Sequence, residues 1–149
     1  MKFLVAVDGS EEAERAIAYA ADIADAMDRP ITIVHAIDPN VYEEGGSDPI
    51  SSLADADQRL VLESVEDAER RAMDLLENAG ELADEFGADA ETELLYGDPV
   101  TTIADYAEDG EFDGVFVGHR GRSERTDLMI GSVAKALVER ASVPVTVVR

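Results

Sequence analysis

KFLVAVDGSEEAERAIAYAADIADAMDRPITIVHAI, residues 2–37, decides the fold. It opens with the apolar run KFLVAV, which breaks at Asp8-Gly9-Ser10, the composition of a strand entering a turn. Ser10 is placed to cap a helix, and Glu11 and Glu12 suit the positive end of its dipole. Ala13, Ala16, Ile17, Ala20, Ile23, Ala24 and Met27 then recur at helical spacing. Asp28-Arg29-Pro30 stops that helix, and ITIVHAI follows as a second buried strand ended by Asp38-Pro39. Strand, helix, strand in this order is a parallel unit with a right-handed crossover.

The pattern repeats through the remaining chain. Residues 39–52, PNVYEEGGSDPISS, carry turn formers and no periodicity, and read as a loop or lid. A long helix is expected from about Leu53 to Phe86, with Val65, Ala68, Ala72, Leu75, Leu76, Ala79, Leu82, Ala83 and Phe86 as its apolar stripe. Gly80 inside it costs about 1 kcal/mol relative to alanine and marks a place for a break. AETELLY is the least apolar strand and therefore an edge. Asp98 and Pro99 form a cap and a first helical residue, before Val100, Ile103, Ala104 and Ala107 on an inward face. DGVFVG is a fourth strand. A last helix carries Val133, Leu137, Val138 and Ala141, and VPVTVV, residues 143–148, closes the chain as a fifth strand. The expected architecture is a single α/β domain: a five-stranded parallel, doubly wound, Rossmann-like sheet of order 3-2-1-4-5 with helices on both faces.

Composition narrows the function. The 149 residues carry 34 Asp and Glu against 12 Lys and Arg, a formal charge of −22. Such a chain repels itself at low salt, whereas at 1 M salt the Debye length of about 3 Å screens the repulsion. With Lys2 and Lys135 as its only lysines, it has the pattern of a halophile's cytoplasmic protein. No broad basic face is available for nucleic acid or an anionic membrane. No apolar run approaches the roughly 20 residues of a membrane span. The absence of cysteine removes disulfides, thiolate catalysis and zinc–thiolate sites.

Against this acidity, GHRGRSERTDLMIGS, residues 118–132, stands out. Arg120, Arg122 and Arg125 crowd beside His119, punctuated by Gly118, Gly121 and Gly131. In a sheet of order 3-2-1-4-5 the ligand crevice lies between strands one and four, beyond their carboxyl ends. Asp8 with Gly9, and Gly118 with its loop, fall there. Helix starts attract anions through unpaired N–H groups and the dipole. The first helix here has Glu11 and Glu12 in its opening turn, the long one has Asp55, and Asp98 caps the third. Only the last, Gly131-Ser132-Val133-Ala134-Lys135, is expected to have no acid in its first turn. Each arginine has two readings, a phosphate partner or a partner to a neighbouring carboxylate, and His119 reads as exposed loop. Neither a Walker A sequence nor a G-x-G-x-x-G after the first strand is present.

Gly118-x2-Gly121-x9-Gly131-Ser132 matches the G-x2-G-x9-G-[S/T] signature of the nucleotide-binding branch of the universal stress protein family. VAVDGSEEAERAIAYAADIA, IVHAID, YGDPVTTIADYA, FDGVFVG and GSVAKALVERASVPVTVVR resemble that family's successive segments, covering nearly the whole chain. The resemblance implies binding of an adenine nucleotide, usually ATP, with a magnesium ion able to ride on the phosphates. It implies ribose and phosphate contacts at Gly118, Gly121, Gly131, Ser132 and Val133. It also implies base and ribose contacts at Val7, Asp8 and the backbone of Ala36. Arg122 joins this set as a stabiliser of phosphate charge.

The reading is a regulatory, stress-response nucleotide binder with no assigned catalytic residue and no dedicated metal site. Glu124 and Asp127 are the nearest acids to the loop, and neither stands out as a base. A slow ATPase or nucleotidyl-transfer enzyme in the same pocket is the alternative, and a family member with a purely structural loop is another. A phospho-accepting receiver domain is excluded by Tyr96-Gly97 and Arg149, where an acceptor aspartate and a lysine would be needed. The apolar last strand lies at a sheet edge, which invites pairing into a homodimer through residues 143–148.

Overall fold

The computed structural model describes residues 2–39, 65–120 and 131–149. In chain order they form β1 (Phe3–Ala6), α1 (Glu11–Met27), β2 (Ile31–Ile37), α2 (Val65–Glu85), β3 (Ala90–Tyr96), α3 (Pro99–Asp109), β4 (Gly114–Gly118), α4 (Ser132–Arg140) and β5 (Val145–Val148). The five strands make one parallel sheet of order β3-β2-β1-β4-β5, as the alternation predicts.

β1 lies in the middle, and all four of its residues are buried. Because strand side chains alternate between faces, Phe3 and Val5 join one core cluster with Ala16, Ile17, Ala20 and Leu76. Leu4 and Ala6 join a second cluster with Ile103, Ala104, Ala107 and Leu137. Thus α1 and α2 cover one face, while α3 and α4 cover the other. Alanines at positions 13, 16, 20, 21 and 24 bring α1 close to the sheet, and each is at most 3% exposed. β3, bearing exposed Glu91 and Glu93, takes the edge its composition predicts.

Local chemistry sets the helix ends. Ser10 Oγ accepts the Ala13 N–H at 3.1 Å, an N-cap contributing about 1 kcal/mol. Asp28 terminates α1 in the left-handed conformation, φ 54°, and its N–H bonds back to Ala24 and Asp25. Asp98 caps α3 and Pro99 is its first residue. α2 runs unbroken through Gly80, where an added Cβ would make ordinary contact with Thr92 Cγ2 at 3.4 Å. Packing on β3 outweighs the cost of the glycine.

Several expectations change. α2 ends at Glu85, which leaves Phe86 41% exposed. Met27, the last residue of α1, is also exposed, as are Val133 and Val138, since the buried face of α4 is carried by Ala134 and Leu137. The last strand begins at Val145, because the Pro144 carbonyl already accepts from Val115 N–H without a donor of its own to return. The expected lid beyond Pro39 and the helix start at residues 53–64 lie outside the described residues.

The Asp98 carboxyl is held below its ordinary value of 3.8 by the Thr101 backbone N–H first and the Thr101 hydroxyl second. A carboxyl lowered in the folded state stabilises above its unfolded pKa, and that stabilisation is lost as pH falls through the lowered folded value. Asp98→Ala should therefore melt below wild type near pH 7. The two melting temperatures should converge as the pH drops below the ordinary carboxylate range; a gap that persists in acid would show that the carboxylate charge is not the cap's source of stability.

Candidate functional site

β1 ends first. Its last register pair is Ala6 with Val34 on one side and Val117 on the other, while β2 continues to Ile37 and β4 to Gly118. The early exit of β1 opens a crevice of about 200 Å³ between the carboxyl ends of its neighbours, lined by residues that include Val7, Asp8, Ala36, Gly118, Arg120 and Val133. This is the reversal point of strand order, where parallel sheets take ligands.

The turn leaving β1 forms one wall. Gly9 adopts φ 82°, a conformation that admits glycine freely. Asp8 Oδ1 accepts the Ser10 N–H at 2.9 Å, so the aspartate braces the turn that positions the α1 cap. The Val7 N–H donates to the Val34 carbonyl at 2.9 Å. The Val7 carbonyl accepts from His35 Nδ1 at 2.7 Å, which requires the proton on that nitrogen because a carbonyl only accepts.

Alternate residues of a parallel strand turn their backbone groups to opposite neighbours. The Val34 carbonyl is taken from the β1 side by Val7, and the Ile37 carbonyl from the β3 side by Gly97. The N–H and C=O of Ala36 therefore face the β1 side, just beyond the point where β1 has departed. A donor and an acceptor from one residue are presented together to the crevice.

The end of β4 forms the opposite wall. Gly118 is the last residue of the strand rather than part of a loop, and its φ is not positive. Its need for glycine comes from packing. A Cβ there would lie 2.8 Å from the Glu12 carbonyl carbon and 3.0 Å from Ala13 N, so the first turn of α1 sits directly against the bare backbone. His119, expected in exposed loop, is instead only 4% exposed. Its N–H donates to the Val148 carbonyl at 2.6 Å and its carbonyl accepts from Gly131 N–H at 2.7 Å, which extends the sheet pairing and draws the residue inside. Through His119, Gly118 and Gly131 meet although 13 positions apart in sequence. His119 Nε2 is a buried side-chain atom with no hydrogen-bond partner among the described residues.

Gly131 caps α4 without any side-chain hydrogen bond. Glycine brings no side chain to close the first turn, and Val133 and Ala134 line the crevice. α3 also lacks an acid within its first turn, which corrects the expectation that α4 alone does so. The difference between them is the N-cap residue: Asp98 accepts the Thr101 N–H at α3, whereas Gly131 at α4 brings no side chain.

Val7, Asp8, Ala36, Gly118 and Val133 line one cavity, and Gly131 and Ser132 open the helix beside it. Gly121 and Arg122 lie outside the described residues. Arg120 takes the second of its two readings, pairing with Glu12 through Nη2 to Oε1 at 3.1 Å. Sequence reasoning passed over His35, although a histidine within the apolar run ITIVHAI is a visible anomaly. A larger groove of about 760 Å³ along α1 and α2 shares Val7, Asp8 and His35 but reaches neither Gly118 nor α4, so it is not where the glycine signature converges. Among the described residues no cluster of three or more His, Asp or Glu could hold a metal ion, and no helix is long and apolar enough to cross a membrane.

A model of the universal stress protein family matches residues 1–149. Universal stress protein YxiE of Bacillus subtilis is 28% identical over 148 residues, covering 99% of this chain and 98% of its own. Among solved structures, universal stress protein UspA from Lactobacillus plantarum superposes with a TM-score of 0.76 at 26% identity, covering 100% of this chain and 97% of its own. The universal stress protein from Archaeoglobus fulgidus in complex with dAMP gives 0.69 at 25% identity, covering 100% and 98%.

The contact at Gly118 makes a prediction that needs no ligand. Gly118→Ala should lower stability in urea by about 1–3 kcal/mol, the range for overpacking a close contact. Unchanged stability would mean that α1 does not rest on this backbone.

Proposed function

The chain belongs to the universal stress protein family, and on that premise we propose that it binds an adenine nucleotide, ATP with its magnesium ion, as a regulatory stress-response protein. The observation that carries the reading is a convergence of two backbone features on one crevice. Ala36 offers a donor and an acceptor together, the pair that matches N1 and N6 of adenine. Across the crevice, α4 opens behind a glycine N-cap with no acid in its first turn, a helix start suited to phosphate. That a relative from Archaeoglobus fulgidus was solved with dAMP supports the same ligand class.

In this assignment Val7, Asp8 and Ala36 hold base and ribose. Gly118 shapes the wall, while Gly131, Ser132 and Val133 receive the phosphates, with Gly121 added by family resemblance and Arg122 by its charge. The described crevice, at about 200 Å³, is smaller than the roughly 300–1,000 Å³ of typical ligand sites. It suits one end of a nucleotide, with the phosphates directed toward α4. Binding rather than rapid turnover is the role, since Asp8, the acid that lines the crevice among the described residues, is engaged in bracing its own turn. Magnesium would come with the polyphosphate and supply charge neutralisation there. The charge of −22 makes concentrated salt the working medium of a halophile's cytoplasmic protein.

A homodimer through residues 143–148 completes the reading. β5 lies at a sheet edge, and Thr146 is exposed beside partly buried valines.

Isothermal calorimetry in molar KCl should register ATP binding to the wild type. Gly131→Leu, which places a branched side chain at the mouth of α4, should weaken it on the order of tenfold or more. Undiminished affinity in that variant would remove the phosphates from α4. Light scattering should return twice the chain mass, and a monomer at micromolar concentration would remove the β5 interface.

A further inference from the structure

The ion pair between Glu12 and Arg120 stands where a charge selects among ligands. Arg120 lines the crevice, and Glu12 belongs to the first turn of α1, the turn that packs on Gly118. Their side chains are only 21% and 15% exposed, so neither charge is diluted by solvent as a surface pair would be. Glu12 alone would set a partly buried negative charge behind the crevice wall. Held on Arg120, that charge is neutralised, and the guanidinium is occupied.

We infer that Glu12 is a specificity-determining residue: by holding Arg120 it sets how strongly the crevice prefers a phosphorylated adenine ligand over the uncharged nucleoside. This rests on the nucleotide reading above. Glu12 and a phosphate compete for one guanidinium, whose planar fork suits either oxyanion. Without Glu12, Arg120 loses a competitor of the ligand and offers more of its charge to the crevice. Without Arg120, Glu12 repels it. A pair that merely fastened α1 to β4 would act on every ligand alike, and this is the distinction to be measured.

The measurement is the ratio of ATP affinity to adenosine affinity, by calorimetry, in wild type, Glu12→Gln, Arg120→Gln and the double variant. In molar KCl the Debye length is about 3 Å, which suppresses the background of the whole chain and leaves contact-range effects. Glu12→Gln should raise the ratio on the order of tenfold, the equivalent of one charge-assisted hydrogen bond gained. Arg120→Gln should lower it by a similar factor, and the double variant should fall between the two. Circular dichroism checks folding, and Glu12→Gln carries the test alone where Arg120→Gln does not fold. Variants that shift both ligands by one common factor, or a ratio unmoved by either, would overturn the inference while leaving the nucleotide site intact. Absence of heat from both ligands in the wild type would instead bring down the nucleotide reading, and this inference with it.

Discussion

The contact between Gly118 and the first turn of α1 organises the rest of the molecule. Helix backbone rests on strand backbone with no side chain between, at a separation that would put a Cβ within 3 Å of three atoms. It brings the cap of α1, the turn at Asp8 and the end of β4 to a common point. The crevice exists because β1, caught between longer neighbours, must leave the sheet there to enter α1. Its walls therefore include strand-end backbone, such as that of Ala36, beyond the last register pair of β1.

Charge is arranged around this point with evident economy for so acidic a chain. Carboxylates occupy the opening turns of α1 and α2 and the cap of α3, where the helix dipole favours them. α4 begins beside the crevice with a glycine N-cap and no acid in its first turn. The one described arginine of the loop meets the one acid of α1 that packs against it.

Much of this was legible beforehand. The alternation of periods two and 3.6 predicts the parallel sheet, and the polarity of AETELLY predicts an edge. Caps at Ser10 and Asp98 follow from residue types that compete locally for backbone hydrogen bonds. The glycine signature drew attention to the end of β4, where the structure gives Gly118 a different reason: packing against a helix more than 100 residues earlier. His119 was misjudged for a related cause: its neighbours in sequence are polar, while its neighbours in space are the ends of β5 and α4. His35 went unread because its partner, the Val7 carbonyl, is defined only once two strands lie side by side.

The sequence by itself determined which segments are strands and helices, how they alternate and where each helix is capped, since these rest on interactions within a few residues. Only the tertiary structure decided that Gly118 serves α1, that His119 is buried, that Arg120 pairs with Glu12, and that Ala36 turns its backbone into the crevice. Each depends on the distance between chain segments far apart in sequence. Such distances are set by how helices and strands pack against one another, which no local pattern records.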